Sequence, residues 1–481
     1  MTELIVFKPK AEIDAEANVS AFIELCRGQL TIFGVDLDFD SDAWDVTEAL
    51  ALRARGNARQ RARFTKLSSN SEWMAEPFRS FSKAYFRYMF GLRPTKGIGA
   101  RLSALRAVAA SGEEVGISSV SGVDASTFNR AAQLVAARYT DATAYRIGQQ
   151  LELLSGFLDE HRMVRSRLGW VNFLPRPIDS ERVGEEADEK RRSKLPSQAA
   201  LDALPKIFRL AIEPADVIVS SAAAIMCGAP DRISEVLTLP VDCEVDGFSK
   251  TGDSAPYGLR WWPGKGAEPM VKWVVASMSN VMREAVGKIR AVTEPAREVA
   301  RWYEKNPGAI YLKPELEHLR GRESLSLDQV ADMIGVLDGG AWCRNAKLPI
   351  DATKRVRFDA VEHAVLQLLP HDFPILDPLT GLKYSEALFV VRRNELGQQR
   401  ATYHCLIEGV SGTKINDGLG SRVAHGFQSI FSKFGFREPD GSEIRVNTHR
   451  FRHYLNTLAQ AGGMSQLDIW TDQPFVDTRR P

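Results

Sequence analysis

The stretch Thr448-His449-Arg450-Phe451-Arg452-His453-Tyr454-Leu455-Asn456 holds the residue types best suited to chemistry on a phosphate. On a helix, His449 and Arg452 share one face about a turn apart. An arginine offers two phosphate oxygens a planar fork of donors, and a histidine exchanges a proton near neutral pH. A second candidate set lies upstream. Arg232-Ile-Ser-Glu235 follows the turn Gly228-Ala-Pro230, which can aim Arg232 into a cleft. Between the two, Lys265 stands between glycines at the tip of an expected hairpin, where a cation can reach a substrate. Taken singly, each is an ordinary sequence. An Arg-x-x-Glu is usually an intrahelical ion pair, a hairpin lysine is usually solvated, and a His-x-x-Arg is usually a solvated helix face.

Other chemistries are poorly represented. Cys26, Cys227, Cys243, Cys343 and Cys405 are odd in number, widely spaced and without zinc-ligand spacing, so they read as reduced thiols. No cluster of carboxylates suggests a metal site, and no cofactor is expected. The N-terminus does not read as a signal peptide, and the apolar run Val217–Cys227 is too short to span a bilayer. The expectation is a cytoplasmic protein without a membrane partner.

The chain has 481 residues, 44% hydrophobic and 26% charged, with a net charge of +1. That is the balance of a globular protein with room for two or three domains. The charge is uneven. Residues 51–66 carry Arg53, Arg55, Arg59, Arg61, Arg63 and Lys66 with no acid. Residues 77–112 carry Arg79, Lys83, Arg87, Arg93, Lys96, Arg101 and Arg106, again with no acid. Such runs favour a polyanionic partner over a merely solvated face.

The elements that would position these residues are mainly helical. Residues 1–70 are read as an N-terminal arm without an assigned role. Helical periodicity marks four segments within 75–178: Phe78–Met89, Ile98–Val108, Phe128–Val135 capped by Asp124 or Ser126, and Ile147–Leu158. Residues 179–196 are dense in charge and read as a linker. Beyond it, Ser197 caps a helix, Ala215–Cys227 forms a buried helix, and a short helix carries Arg232 and Glu235. Tyr257–Trp262 and Met270–Val275 form a strand pair. Residues 276–345 look helical, with a capped segment at Ser326–Ile334. Residues 346–415 look irregular and inserted, with strand-like pieces such as Ala387–Val391, and Val423, Phe427, Ile430, Phe431 and Phe434 mark a further amphipathic helix.

In this order the residues carry a resemblance. Arg232-Ile-Ser-Glu235 resembles the first box of the tyrosine recombinases, the phage-integrase family of site-specific recombinases. Lys265 is placed like that family's hairpin lysine, and Thr448–His453 resembles its second box. The resemblance covers about 195–469 and 77–175 and leaves 1–70 outside. It implies a helical, SAM-like core-binding domain followed by a recombinase catalytic domain over 197–469, with an insertion around 346–415. It also implies duplex DNA as partner, gripped through Arg79, Lys83, Arg87, Arg93, Lys96 and Arg101. Arg232 and Arg452 would clamp a phosphodiester without metal, Lys265 would protonate the leaving oxygen, His449 would assist, and Glu235 would orient its neighbours.

The family's nucleophile is a tyrosine about thirty residues beyond the second-box arginine. Here Tyr454 is the last tyrosine, inside the second box itself, and residues 470–481 read as a foreign tail. The expectation is a recombinase-type protein without its own nucleophile, deficient in cleavage, that self-associates or joins an intact recombinase on DNA. The alternative is a non-catalytic DNA-binding protein or inhibitor of the same descent. A metal nuclease and a helical scaffold without DNA are weaker readings.

Overall fold

In the computed structural model the described residues are 7–10, 14–177, 194–229, 231–247, 256–262, 268–397 and 399–461, with side chains to 455. The chain divides into two compact units: Met1–Leu52 with Arg59–Ala187, and Arg53–Ala58 with Asp188–Pro481. About half of it is helical, with small antiparallel sheets. The expected linker lies almost wholly, and the expected tail wholly, outside the described residues.

The first unit begins with α1 (Ala15–Gly28), capped by the Asp14 carboxylate, which accepts the Ala17 N–H at 2.8 Å. β1 (Ala43–Asp45) and β2 (Arg61–Arg63) pair antiparallel on either side of the one-turn helix α2 (Thr47–Leu50). Then come α3 (Phe78–Leu92), α4 (Ile98–Glu114), α5 (Ala125–Arg138) and α6 (Asp141–Glu160). These four helices stand where their apolar spacing predicts them. Asp124, rather than Ser126, caps α5 in a reciprocal pair with Thr127.

The described part of residues 1–70 does not stand apart as an arm. Phe22, Trp44 and Phe64 are buried in the same core as Phe81, Phe86 and Phe157 of the helices. These side chains are too large to leave in water once α3 offers an aromatic face. The excursion at Arg53–Ala58 belongs to the second unit.

The second unit is arranged around one buried helix. α7 (Gln198–Leu210) is capped by Ser197, as its sequence predicts. α8 (Pro214–Gly228) follows, with Pro214 in its first turn, where a missing N–H costs nothing. α9 (Ile233–Val236) is a single turn. β3 (Glu244–Asp246), β4 (Tyr257–Trp261) and β5 (Met270–Trp273) form an antiparallel sheet with Trp261 opposite Met270. α10 (Ala276–Lys305) is long and packs along α8.

The stretch expected to be irregular is ordered, and its core starts earlier than 346. β6 (Ser324–Ser326), α11 (Leu327–Ile334), α12 (Gly339–Asn345), β7 (Arg355–Arg357) and α13 (Phe358–Leu366) share a core that includes Ile310, Val330, Trp342 and Val361. β8 (Ile375–Asp377) pairs with β9 (Leu382–Lys383), and β10 (Val390–Arg393) pairs with β11 (Tyr403–Gly409). Of these strands, only β10 overlaps a stretch, Ala387–Val391, that reads as strand-like in the sequence, because spans of two to seven residues carry little periodicity.

The remaining helices are α14 (Gly412–Gly418), α15 (Ile430–Lys433) and α16 (Thr448–Ala461). The amphipathic helix expected from Val423 to Phe434 is reduced to the single turn α15. Gly426 takes a left-handed φ of 80°, which ends the helical path, and Ser429 starts it again by accepting the Ser432 N–H. α8 touches α7, α9, α10, α14, α15 and α16, so it is the hub on which the unit is assembled.

Candidate functional site

Arg232 and Glu235 are brought together as the sequence suggests, but in a more specific way than an i,i+3 ion pair. Arg232 stands at the N-cap of α9. Glu235 turns back and accepts both the Arg232 backbone N–H at 3.1 Å and its guanidinium at 3.0 Å. The Glu235 side chain is 3% exposed and that of Arg232 is 44% exposed. A buried carboxylate therefore anchors a guanidinium whose other donors face outward.

The neighbouring residue is equally constrained. Asp231 is buried and takes the Lys272 ammonium of β5, which also lies 5.7 Å from the centre of the Trp261 ring. The sequence reading missed Lys272. No local signal marks it, since the pairing crosses from a strand to a turn 41 residues away. Lys265 lies outside the described residues.

α16 carries His449, Arg452, His453 and Tyr454. Its first N–H, that of Thr448, donates to the Asn416 side-chain oxygen of α14 at 2.9 Å. Phe451 is fully buried in the core that also holds Val236 of α9 and Ile225 of α8. This anchor places His449 and Arg452 on the outer side. His449 and His453 meet Nε2 to Nε2 at 3.0 Å with their rings at 79°. One nitrogen must donate to the other, so the pair cannot carry protons on both facing atoms. Burial, followed by His449, Lys194 and Arg452, holds His453 below the usual histidine value. His453 is thus the neutral partner near pH 7. Tyr454 is half-buried on the same helix, two residues beyond Arg452.

The two boxes are joined through α8, which packs against both α9 and α16. Each guanidinium rides on a short element whose apolar residues enter one core. Thiol chemistry is not offered: burial pushes Cys227, Cys243 and Cys405 up to about 12, far from the thiolate range.

Of Arg79, Lys83, Arg87, Arg93, Lys96 and Arg101, three are internal, which corrects the placement of those three on a DNA-facing surface. Lys83 and Arg87 are each 2% exposed and Arg101 is 5% exposed. Lys83 donates to the Asp40 carbonyl at 3.0 Å, and Arg87 donates to the carbonyls of Ile32, Cys26 and Gly34. Arg101 donates weakly to the Arg93 carbonyl at 3.5 Å. Arg79 is shared between Glu76 and Asp42, both at 2.8 Å. Only Arg93 and Lys96 of the six are exposed. In the earlier run, Arg53 and Arg55 are held by Asp377 and Asp372 of the second unit. An acid-free run records only the near sequence, and the compensating carbonyls and carboxylates arrive from elsewhere.

No family model matches the chain, and no curated protein and no solved structure matches it.

Proposed function

We propose that the second unit holds a phosphodiester of duplex DNA, and that the chain is a site-specific recombinase of the tyrosine type by descent. The observation that carries this reading is the common mounting of Arg232–Glu235 and His449–Arg452 on α8. Two guanidiniums on separate elements suit the nonbridging oxygens of one phosphate, whose charge rises under attack. His449 and His453 would hold or pass a proton between them. Glu235, through its buried carboxylate, keeps Arg232 in one rotamer. Tyr454 lies two residues beyond Arg452 on α16 and therefore off its face. The proposal assigns the described residues duplex binding and phosphate clamping, with no nucleophilic role for Tyr454, which lies inside the second box. The alternative is a DNA-occupying protein that never cleaves. It shares the clamp and differs only in chemistry.

The test is a nicked suicide duplex carrying flanking DNA of the locus, resolved on a denaturing gel beside a native gel shift. Salt-sensitive binding that weakens in Arg232→Ala and Arg452→Ala, with no covalent adduct, supports the reading. An adduct lost in Tyr454→Phe would give the chain its own nucleophile and overturn the assignment. Absence of any DNA binding would overturn the reading as a whole.

A further inference from the structure

The segment between α10 and α14 contains a module that the phosphate-holding site does not use. α11 and α12 are joined by four residues, Gly335–Asp338. Gly335 takes a left-handed φ of 88°, and a Cβ there would lie 2.6 Å from the Thr402 carbonyl oxygen. Asp338 caps α12 by accepting the Ala341 N–H at 2.8 Å. Gly339 is pressed onto α11 so closely that a Cβ would meet the Leu327 carbonyl oxygen at 2.0 Å. The close approach of the two helices is thus set by Gly339, while Gly335 makes room for the chain at Thr402. β6 enters α11 directly, β7 follows α12, and the two pair antiparallel with Leu325 opposite Val356. Two short helices on a tight glycine turn are a helix-turn-helix, whose second helix fits a DNA major groove. Here a strand pair flanks them.

The side chains divide accordingly. Trp342 and Cys343 of α12 are buried, whereas Arg344 and Asn345 are exposed. Arginine and asparagine are the types that pair bidentately with guanine and adenine edges. From Ala341 to Phe358 the sequence carries Arg344, Lys347, Lys354, Arg355 and Arg357 against one acid, Asp351. Asp351 is spent inside its own turn on the Thr353 and Arg355 N–H groups. Arg355 is spent on Ser324, and Arg357 on Asp359. Arg344 lies 3.8 Å from the Asp338 carboxylate, a solvated pair that a base edge can displace, and Lys347 and Lys354 remain. Both are exposed, and neither ammonium group has a hydrogen-bond or ion-pair partner among the described residues. Both also sit at a left-handed φ of 57°, where glycine is the cheaper residue. Turn geometry therefore does not explain why these positions are lysine.

We infer that residues 324–366 form a second, separate contact to duplex DNA, with α12 in the major groove. Arg344 and Asn345 face base edges, and Lys347 and Lys354 contact flanking phosphates. The contact is independent of Arg232 and Arg452, and it gives the chain a sequence-reading element that a phosphate clamp lacks.

The experiment uses the full chain and a labelled random-sequence DNA duplex, titrated at several salt concentrations. Lys347→Gly with Lys354→Gly relieves both left-handed positions, so the unfolding midpoint is expected to hold or rise. DNA affinity should nevertheless fall about tenfold, and the slope of log K against log salt should shrink by about two. Arg344→Ala should keep affinity for random duplex but lose the preference for sequences selected from a random pool. Unchanged affinity and slope in the double glycine variant would overturn the inference. So would tighter competition by an A-form RNA duplex than by DNA, or a wild-type chain that binds no duplex. A loss of binding in Arg232→Ala, with none in the lysine variant, would defeat this module alone and leave the phosphate-holding reading standing.

Discussion

Arg53 and Asp377 are 324 residues apart and form a buried ion pair, with the Arg53 Nε 2.9 Å from the carboxylate. Their side chains are 6% and 0% exposed. The same guanidinium donates to the Trp262 carbonyl at 2.8 Å and to Thr238 Oγ1 at 2.7 Å. Every face of the fork is used, which is the condition under which a buried pair holds together.

Asp377→Ala leaves that guanidinium buried without its counter-charge. The expected cost is about 3–5 kcal/mol of unfolding free energy. Arg53→Ala should cost a similar amount, and a double variant should cost less than the sum of the two. Urea unfolding of the three variants measures the coupling, and strict additivity would mean that the pair does not act as a unit.

Glu235 does two things at once: it accepts the Arg232 backbone N–H and it holds the guanidinium. Glu235→Gln keeps an acceptor for the N–H and should cost well under 1 kcal/mol of stability, since the guanidinium is largely solvated. Glu235→Ala loses the cap and should cost about 1–2 kcal/mol. Both variants should weaken phosphate binding at the site, because Arg232 loses its fixed partner. Equal stability of Gln and Ala variants by chemical unfolding would refute the capping role.

Phe451 lies between His449 and Arg452 and is fully buried. Phe451→Ala should destabilise the chain by about 3–5 kcal/mol through the cavity it leaves. It should also reduce DNA binding as strongly as loss of Arg452, since α16 loses its anchor on the core. Normal DNA affinity in a folded Phe451→Ala protein would separate the site from the helix that carries it.

His161 is stacked 4.2 Å from Phe157, and burial holds its pKa below the usual 6.5. His404 and His453 are lowered as well, also chiefly by burial. For each, the unfolded chain takes the proton first. Their stabilising effect is therefore complete above pH 6.5 and is lost as the pH falls through 6.5 towards the folded values. Glu408, raised by burial, acts in the opposite direction at lower pH. Unfolding midpoints measured from pH 8 to 5.5 should fall, and His161→Phe should flatten that fall. A variant as pH-sensitive as the wild type would remove His161 from the account.

The periodic helices of the first unit, the caps at Asp124 and Ser197, the buried helix α8 and the strand pair β4–β5 could all be reached from local spacing. So could the candidate residues Arg232, Glu235, His449 and Arg452, because a turn or a helix face joins positions three or four apart. What spacing could not reach were the long-range partners. The basic runs of residues 51–66 and 77–112 look like a polyanion surface in one dimension. In three dimensions Arg87 is enclosed by carbonyls and Arg53 by Asp377. Lys272 reaches Asp231 for the same unreadable reason, and the strands β6 and β7 that flank the capped segment Ser326–Ile334 are too short to show a period. Sequence determines what a residue is able to do. Only the tertiary structure decided which charges are already satisfied, because desolvation and pairing depend on neighbours that folding brings from anywhere in the chain.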